Sequence, residues 1–128
     1  MKAIYLCGPI NGCSDSEAKD WRELVKGLWP GKTLDPMRRD YRGREAECVN
    51  EIVEGDEADL QASDVILVNC DKPSWGTAME VRAAAKEYGK PVVVVCPPDM
   101  SISPWLRYHA RAIVHTFAEA LKFAEILP

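Results

Sequence analysis

The chain has 128 residues, with 16 basic and 20 acidic side chains and a formal net charge of −4. This length is typical of one domain, and no long run of like charge is present that would bind a polyanion. A membrane segment is not expected, because no apolar run approaches the ~20 residues that cross a bilayer. We therefore predict a single domain over residues 1–128 that binds neither duplex nucleic acid nor membrane, whereas a single nucleotide remains a possible ligand.

The cysteines and histidines give no pattern of a metal site. The five cysteines are odd in number and have no C-x-x-C pair or other zinc-like spacing. Three of them end apolar runs, where a reduced cysteine behaves as a small hydrophobe. His109 and His115 have no carboxylate or cysteine at metal-binding spacing. We expect a reducing, cytoplasmic location and no metal or organic cofactor.

Five segments have the composition of β-strands. Ala3 to Cys7 is the first, and Thr33 to Leu34 is a short second one. The runs from Asp64 to Cys70 and from Pro91 to Cys96 are short and rich in valine, as are strands covered on both faces of a parallel sheet. A fifth strand is predicted near Ala112 to Val114.

Helical patterns lie between these strands. A capping box at Ser14 to Glu17 precedes the first helix, and a Thr116-x-x-Glu119 cap precedes the last. The second helix is predicted to end near Ala62, and a third extends from Ala78 to Tyr88. The apolar residues that mark the first, second and last helices are Trp21, Leu24, Val25 and Leu28, then Val49, Ile52, Val53 and Leu60, then Phe117, Ala120, Leu121 and Ala124.

Alternating strands and helices with right-handed crossovers predict a three-layer α/β fold, a flavodoxin- or Rossmann-like, doubly wound sheet of five parallel strands. Ligands of such sheets bind beyond the carboxyl ends of the strands, where strand order reverses. In the flavodoxin-like order this point lies between the first and third strands. The rule directs attention to two loops, Gly8 to Ser14 and Asp71 to Gly76.

The first loop contains Gly8, Pro9, Ile10, Asn11 and Gly12 and opens onto a helix N-terminus. Free backbone N–H groups and the helix dipole favour an anion at such a place. A tight turn that needs two glycines is an equally good explanation of the same residues.

The second loop places Glu80 in the first turn of the third helix. A carboxylate there, beside the predicted crevice, is a candidate nucleophile. Thr77 and Glu80 also have the spacing of a capping box, so Glu80 could instead bond back to the Thr77 N–H. The two interpretations remain open at this point.

Asp56 lies on the predicted apolar face of the second helix, one heptad after Val49. A buried acid is costly unless it is paired, and burial raises its pKa, which suits a general acid. Partial exposure at the edge of the apolar stripe is the alternative, with Asp59 as the competing carboxylate.

Other residues could contact a nucleotide. Met79, Trp75 and Trp105 could line a base pocket, although such residues more often serve in packing. A basic cluster that includes Arg42 lies in the long connection after the second strand, where it could contact a phosphate or a base.

The order and spacing of these motifs resemble the nucleoside 2-deoxyribosyltransferase superfamily. The matching segments are Tyr5-Leu6-Cys7-Gly8-Pro9-Ile10-Asn11-Gly12, then Asp56 ahead of Asp64-Val65-Ile66-Leu67-Val68, then Gly76-x-x-x-Glu80 and Gly89-Lys90-Pro91-Val92. The resemblance implies that Glu80 attacks the anomeric carbon to give a glycosyl ester and that Asp56 assists departure of the base. This agrees with a retaining site of two carboxylates.

Position 74 separates two branches of the superfamily. Transferases resemble one another in an aspartate six residues before the nucleophile, whereas nucleoside 5'-monophosphate N-glycosidases have a serine that holds the phosphate, and this chain has Ser74. Ser103 is similar to a serine that a neighbouring subunit of those hydrolases contributes, which implies a homodimer with a shared active site. The hydrolases usually have an arginine where this chain has Asn11, so Arg42 or Arg107 would have to compensate.

The resemblance therefore predicts an N-glycosidase that cleaves the base from a nucleoside or deoxynucleoside 5'-monophosphate. The alternatives are a deoxyribosyltransferase that exchanges bases and, from another class, a nucleotide-binding sensor without catalysis. The predicted catalytic residues are Glu80 and Asp56, and the predicted substrate-binding residues are Tyr5, Gly8, Ile10, Asn11, Gly12, Arg42, Ser74, Gly76, Met79 and Ser103.

Overall fold

A computed structural model describes residues 1–128 and contains one sheet of five parallel strands. The strand order is β2-β1-β3-β4-β5. The second strand is added on one side of β1 and the later strands on the other, so the strand order reverses between β1 and β3. This is the predicted flavodoxin-like order, and the predicted fold class is confirmed. The strands are β1 Ile4–Cys7, β2 Thr33–Leu34, β3 Val65–Asn69, β4 Val92–Val95 and β5 Ala112–Val114.

Five α-helices cover the two faces of the sheet. They are α1 Asp15–Leu28, α2 Val49–Ala62, α3 Trp75–Arg82, α4 Pro104–His109 and α5 Phe117–Ile126. The capping box at Ser14 and the cap at Thr116 form as predicted, because each hydroxyl accepts the backbone N–H of the glutamate three residues later. None of the helices has the length and apolar character needed to pass through a membrane.

Two helices differ from the prediction. The third begins at Trp75 rather than at Ala78, because Ser74 is its N-cap, and it continues from Ala83 to Glu87 as a π-helical turn. Helix α4 has only six residues, which is too short for an apolar period to show in the sequence.

Two apolar cores lie on opposite faces of the sheet. Side chains of β1 alternate between them: Ile4 and Leu6 pack with α1 and α5, whereas Tyr5 and Cys7 point towards α2 and α3. This alternation matters for the site, because it directs Tyr5 and Cys7 to the face on which Glu80 lies.

The buried faces of α1 and α2 are rotated from the predicted stripes. In α1 the buried residues are Ala18, Trp21, Arg22 and Val25, whereas Leu24 and Leu28 are half exposed. In α2 the residues Val49 and Val53 are also half exposed, and Asp59 and Leu60 are the buried ones. The apolar period therefore located both helices correctly but only part of the faces that they bury, namely Trp21, Val25 and Leu60.

Candidate active site

A cavity of about 140 Å³ lies at the carboxyl edge of β1 and β3, where the fold predicts a ligand site. Its walls come from the first loop, the connection after β2, helix α2 and the start of α3. Eight of the twelve predicted site residues line it, namely Gly8, Ile10, Asn11, Arg42, Asp56, Ser74, Gly76 and Glu80.

The other four predicted residues do not line this cavity. Tyr5 lies beneath it, fully buried, and contacts Glu80. Gly12 is exposed in the first loop and has a positive φ of 76°, which favours glycine for the turn itself. Met79 points to solvent, and exposed Ser103 is the N-cap of α4, where its hydroxyl accepts the Trp105 N–H at 3.2 Å.

Glu80 is partly buried and is held by two donors from β1. The Tyr5 hydroxyl donates to Oε2, and the Cys7 thiol lies 3.9 Å from Oε1. Removal from water raises the pKa of the Glu80 carboxyl to about 8, and the negative charge of Asp56 adds to this effect. Both β1 donors oppose the shift, because they stabilise the ionised form.

The structure decides between the two interpretations of Glu80 that the sequence left open. The cap of α3 is Ser74, whose Oγ accepts the Thr77 N–H at 3.3 Å, so the helix begins before Thr77. The Glu80 side chain is directed at Tyr5 and Cys7 instead. A capping box between Thr77 and Glu80 is therefore wrong.

The carboxylates of Asp56 and Asp59 have different partners. Asp59 is buried and forms 2.8 Å ion pairs with both Arg38 and Arg39, which fix the connection after β2 onto α2. Asp56 lines the cavity and has one longer contact, at 3.3 Å, with Arg39. Desolvation raises the pKa of Asp56, whereas hydrogen bonds from Arg38 and Arg39 outweigh desolvation and lower that of Asp59. Asp56 is thus the carboxylate available to a ligand.

Arg42 ties the long connection to the first loop. Its guanidinium donates to the Cys13 carbonyl at 3.1 Å and to the carboxylates of Asp15 and Asp40. These two carboxylates raise the pKa of Arg42 further above its ordinary value. The side chain therefore lines the cavity with its charge already balanced by two acids.

Sequence reasoning missed Arg22, the largest fully buried side chain. It extends from α1 beneath the first loop and donates to the carbonyl of Gly8 at 3.0 Å. The signal available in the sequence was its spacing from Ala18 and Val25, which places it on the buried face of α1.

Thr77 was also missed as a site residue, since the sequence suggested only a capping role. It lines the cavity one turn before Glu80, and its Oγ1 is buried without a protein hydrogen-bond partner. A buried hydroxyl without a partner costs stability, so it is a candidate contact for a substrate. No group of three or more His, Cys, Asp or Glu residues is arranged to hold a metal ion.

Comparison with known proteins identifies the family. The model of the nucleoside 2-deoxyribosyltransferase family matches residues 4–122. The chain belongs to this family, whose enzymes act on nucleosides or nucleotides, and the predicted superfamily resemblance is confirmed.

One solved structure with the same fold is a CMP N-glycosidase, BcmB, from Clostridium botulinum. The TM-score is 0.58 at 16% sequence identity, and the match covers 98% of this chain and 100% of that chain. At this identity the likeness establishes the shared fold. A search of curated proteins gives no match.

Proposed function

We propose that the protein is a nucleoside 5'-monophosphate N-glycosidase in which Glu80 is the nucleophile. The observation that carries the proposal is the position of Glu80 in the cavity, held by Tyr5 rather than used as a helix cap. Ser74 at the start of the same helix favours a monophosphate over a nucleoside.

The proposed reaction has two steps. Ionised Glu80 attacks the anomeric carbon, the glycosidic bond breaks, and Asp56 protonates the departing base. Water then attacks the glycosyl ester with Asp56 as base, which releases the sugar 5-phosphate and restores Glu80. The hydroxyl of Tyr5 stays bonded to the Glu80 carboxylate and orients it for attack.

The N-terminus of α3 is suited to the phosphate. The Ser74 hydroxyl accepts the Thr77 N–H, which leaves its own hydrogen free to donate to a phosphate oxygen. The first N–H groups of a helix lack intrahelical partners, and the helix dipole favours an anion at this end. A phosphate here would bind at the N-terminus of the helix that carries the nucleophile. Its contact residue Ser74 comes three residues before Thr77 and six before Glu80.

The cavity must widen to admit a nucleotide, because pockets for ligands of that size usually measure ~300–1,000 Å³ and this one measures about 140 Å³. Arg42 would take part in this change. A phosphate dianion would compete for its guanidinium with Asp15 and Asp40, which now hold it. Arg42 would then provide the positive charge that the hydrolases usually have at the position of Asn11.

The proposal includes a homodimer in which Ser103 of one subunit reaches the site of the other. Exposed apolar side chains are present on the adjacent helices α3 and α4, where Trp75, Met79 and Trp105 are 87%, 70% and 75% exposed. Tyr108 on α4 is exposed as well. A second copy is the occupant that fits, since the resemblance assigns Ser103, on the same short helix segment, to a neighbouring subunit.

The dimer is tested by sedimentation together with activity. We expect an active dimer that Trp105→Glu dissociates and inactivates, with the exposed Leu24→Glu on α1 as the matched control that changes neither property. A fully active monomer at assay concentration contradicts the shared site. If Ser103→Ala remains an active dimer, the dimer is retained and only the role of Ser103 is excluded.

The function is tested with matched pairs of nucleosides and 5'-monophosphates, and free base is followed by chromatography. Charge-assisted hydrogen bonds contribute roughly 1.5–3 kcal/mol each, so the monophosphate should be preferred by at least ~100-fold in kcat/KM. Glu80→Gln should abolish base release without unfolding the protein.

The variant Ser74→Asp distinguishes the two branches of the family. It should damage cleavage of the monophosphate and spare the nucleoside, because the new carboxylate repels the phosphate, whereas Ser74→Ala should have a smaller effect. Equal wild-type values for both substrates, or incorporation of an added free base, would favour the transferase. Tight nucleotide binding without turnover would favour the sensor.

A further inference from the structure

Arg22 is a charged side chain with no solvent exposure. Arginine is almost never fully buried unless it is paired, because desolvation of the charge is costly. The guanidinium is satisfied mainly by backbone carbonyls. Nη1 donates to Ala18 at 2.6 Å, Nη2 to Gly8 at 3.0 Å and Nε to Leu6 at 3.3 Å.

These contacts place the positive charge at the end of β1, the strand that supplies the donors to the nucleophile. Leu6 and Gly8 flank Cys7 at the end of β1, and Cys7 in turn contacts Glu80. The loop also packs closely on α1, since a side chain at Gly8 would meet the ring of Trp21, the neighbour of Arg22, at 2.7 Å. Arg22 therefore holds the backbone of the strand from which Glu80 receives its donors.

The charge of Arg22 is only loosely neutralised. Its Nε lies 3.5 Å from Oδ1 of Asp35, whereas Oδ2 of that carboxylate lies 2.6 Å from the Nζ of Lys26. Lys26 is thus the closer counter-ion of Asp35. Lys26 also pairs with Glu23 at 3.2 Å, so the positive charge that remains at the end of β1 is the guanidinium of Arg22.

We propose that Arg22 is a positioning residue of the active site, which holds the end of β1 in place and supplies a fixed positive charge that favours the ionised form of the nucleophile. The proposal rests on the proposed role of Glu80. In this role one buried side chain holds the first loop and stabilises the negative charge of the reacting carboxylate.

The groups around Glu80 agree with this role. Tyr5 and Cys7 contact it from β1, and the charges of Asp56 on α2 and Arg22 on α1 act on it through space. The positive charge of Arg22 lowers the pKa of both Glu80 and Asp56, while Arg39 also acts on Asp56. Removing the Arg22 charge should therefore raise the pKa of the pair, and removing its counter-ion Asp35 should lower it.

The experiment measures the ionisation of Glu80 directly, by ¹³C NMR of the glutamate side-chain carboxyls over a pH series, with Glu80→Gln to assign the signal. Arg22→Met should raise the pKa of Glu80, Arg22→Lys should leave it near the wild-type value, and Asp35→Asn should lower it. Val25→Ala, a buried change on the same helix, is the matched control that reduces thermal stability without moving this pKa.

The same variants separate charge from shape in the activity assay. For Arg22→Met the acidic limb of the kcat/KM profile should move to higher pH. At a pH below that limb, kcat/KM should fall roughly tenfold for each unit by which the pKa rises. Arg22→Lys should lose activity at all pH values without a shift, because it retains charge but not the three carbonyl contacts.

Two outcomes overturn the proposal. One is an unchanged pKa of Glu80 in Arg22→Met, and the other is a shift of the same sign in Arg22→Met and Asp35→Asn. If Arg22→Met does not fold, the Asp35→Asn measurement decides, since an unchanged or raised pKa contradicts the role. The NMR readout needs no turnover, so failure of the glycosidase proposal would be seen separately as absence of base release.

Discussion

Replacement of Glu80 by glutamine should make the protein more stable while it abolishes activity. Glutamine has nearly the same shape as glutamate and can still accept a hydrogen bond from Tyr5, but it has no charge to desolvate. In the wild type, burial raises the pKa of Glu80 to about 8. The substitution removes the cost of holding a carboxylate in this place.

The size and pH dependence of the gain follow from linkage. Below pH about 4.5 the carboxyl is protonated in both folded and unfolded states, so the two proteins should differ little. Between pH about 4.5 and 8 only the folded state keeps the proton, and wild-type stability falls by about 1.4 kcal/mol per pH unit. Because the pKa moves from 4.5 to about 8, the full difference above pH 8 is at most about 5 kcal/mol.

The assay is urea unfolding of both proteins at pH 5, 7 and 9. We expect Glu80→Gln to be more stable than wild type, with a gain that grows from pH 5 to pH 9. Glu54→Gln is the matched control, because Glu54 is exposed on α2 and its exchange should leave the pH dependence unchanged. A uniform loss of about 0.5–2 kcal/mol would instead be the signature of a lost cap and would refute the reasoning.

The pH profile of kcat/KM should be bell-shaped and should fall above pH about 8, where the Glu80–Asp56 pair loses its last proton; a profile that keeps rising would exclude Asp56 as the acid. Thr77→Val should raise the free energy of unfolding by about 1 kcal/mol, since it removes a buried hydroxyl without a partner. Urea unfolding at one pH measures this, and a loss of stability would mean that the hydroxyl does have a hydrogen-bond partner. Gly8→Ala should cost about 1–3 kcal/mol, because its methyl group would lie 2.7 Å from the ring of Trp21; unchanged thermal unfolding would show that the loop shifts freely.

The sheet and most helices could be predicted because their signals are local. The valine-rich runs around Val65 and Val92 have the composition of buried parallel strands, and the hydroxyl of Ser14 has a glutamate at capping distance. The six residues of helix α4 are too few to show an apolar period in the sequence. The start of α3 was misplaced because Ser74 and Thr77 are both capping residues, and only the observed hydrogen bond decides between them.

The site was predictable where topology alone brings residues together, and not where side-chain direction decides. Strand order places Glu80 beside the end of β1, so its neighbourhood followed from the fold. The burial of Arg22 did not follow from the helix period alone, since Leu24 and Leu28 gave a stronger apolar stripe that proves half exposed. The lack of a partner for Thr77 Oγ1 depends on distances that no sequence pattern contains.

The location of one proton connects these observations with the proposed reaction. Glycosyl transfer requires ionised Glu80 and a protonated group near the base, yet the raised pKa of Glu80 keeps the proton on the nucleophile at neutral pH in the free protein. The hydrogen bonds from Tyr5 and Cys7 lower the pKa of Glu80 and do not reach Asp56, whereas the positive charge of Arg22 lowers the pKa of both carboxyls. A base bound over Asp56 would exclude water from it and further raise its pKa, so the proton would move from Glu80 to Asp56 as substrate binds. A sensor that only holds a nucleotide needs no such transfer.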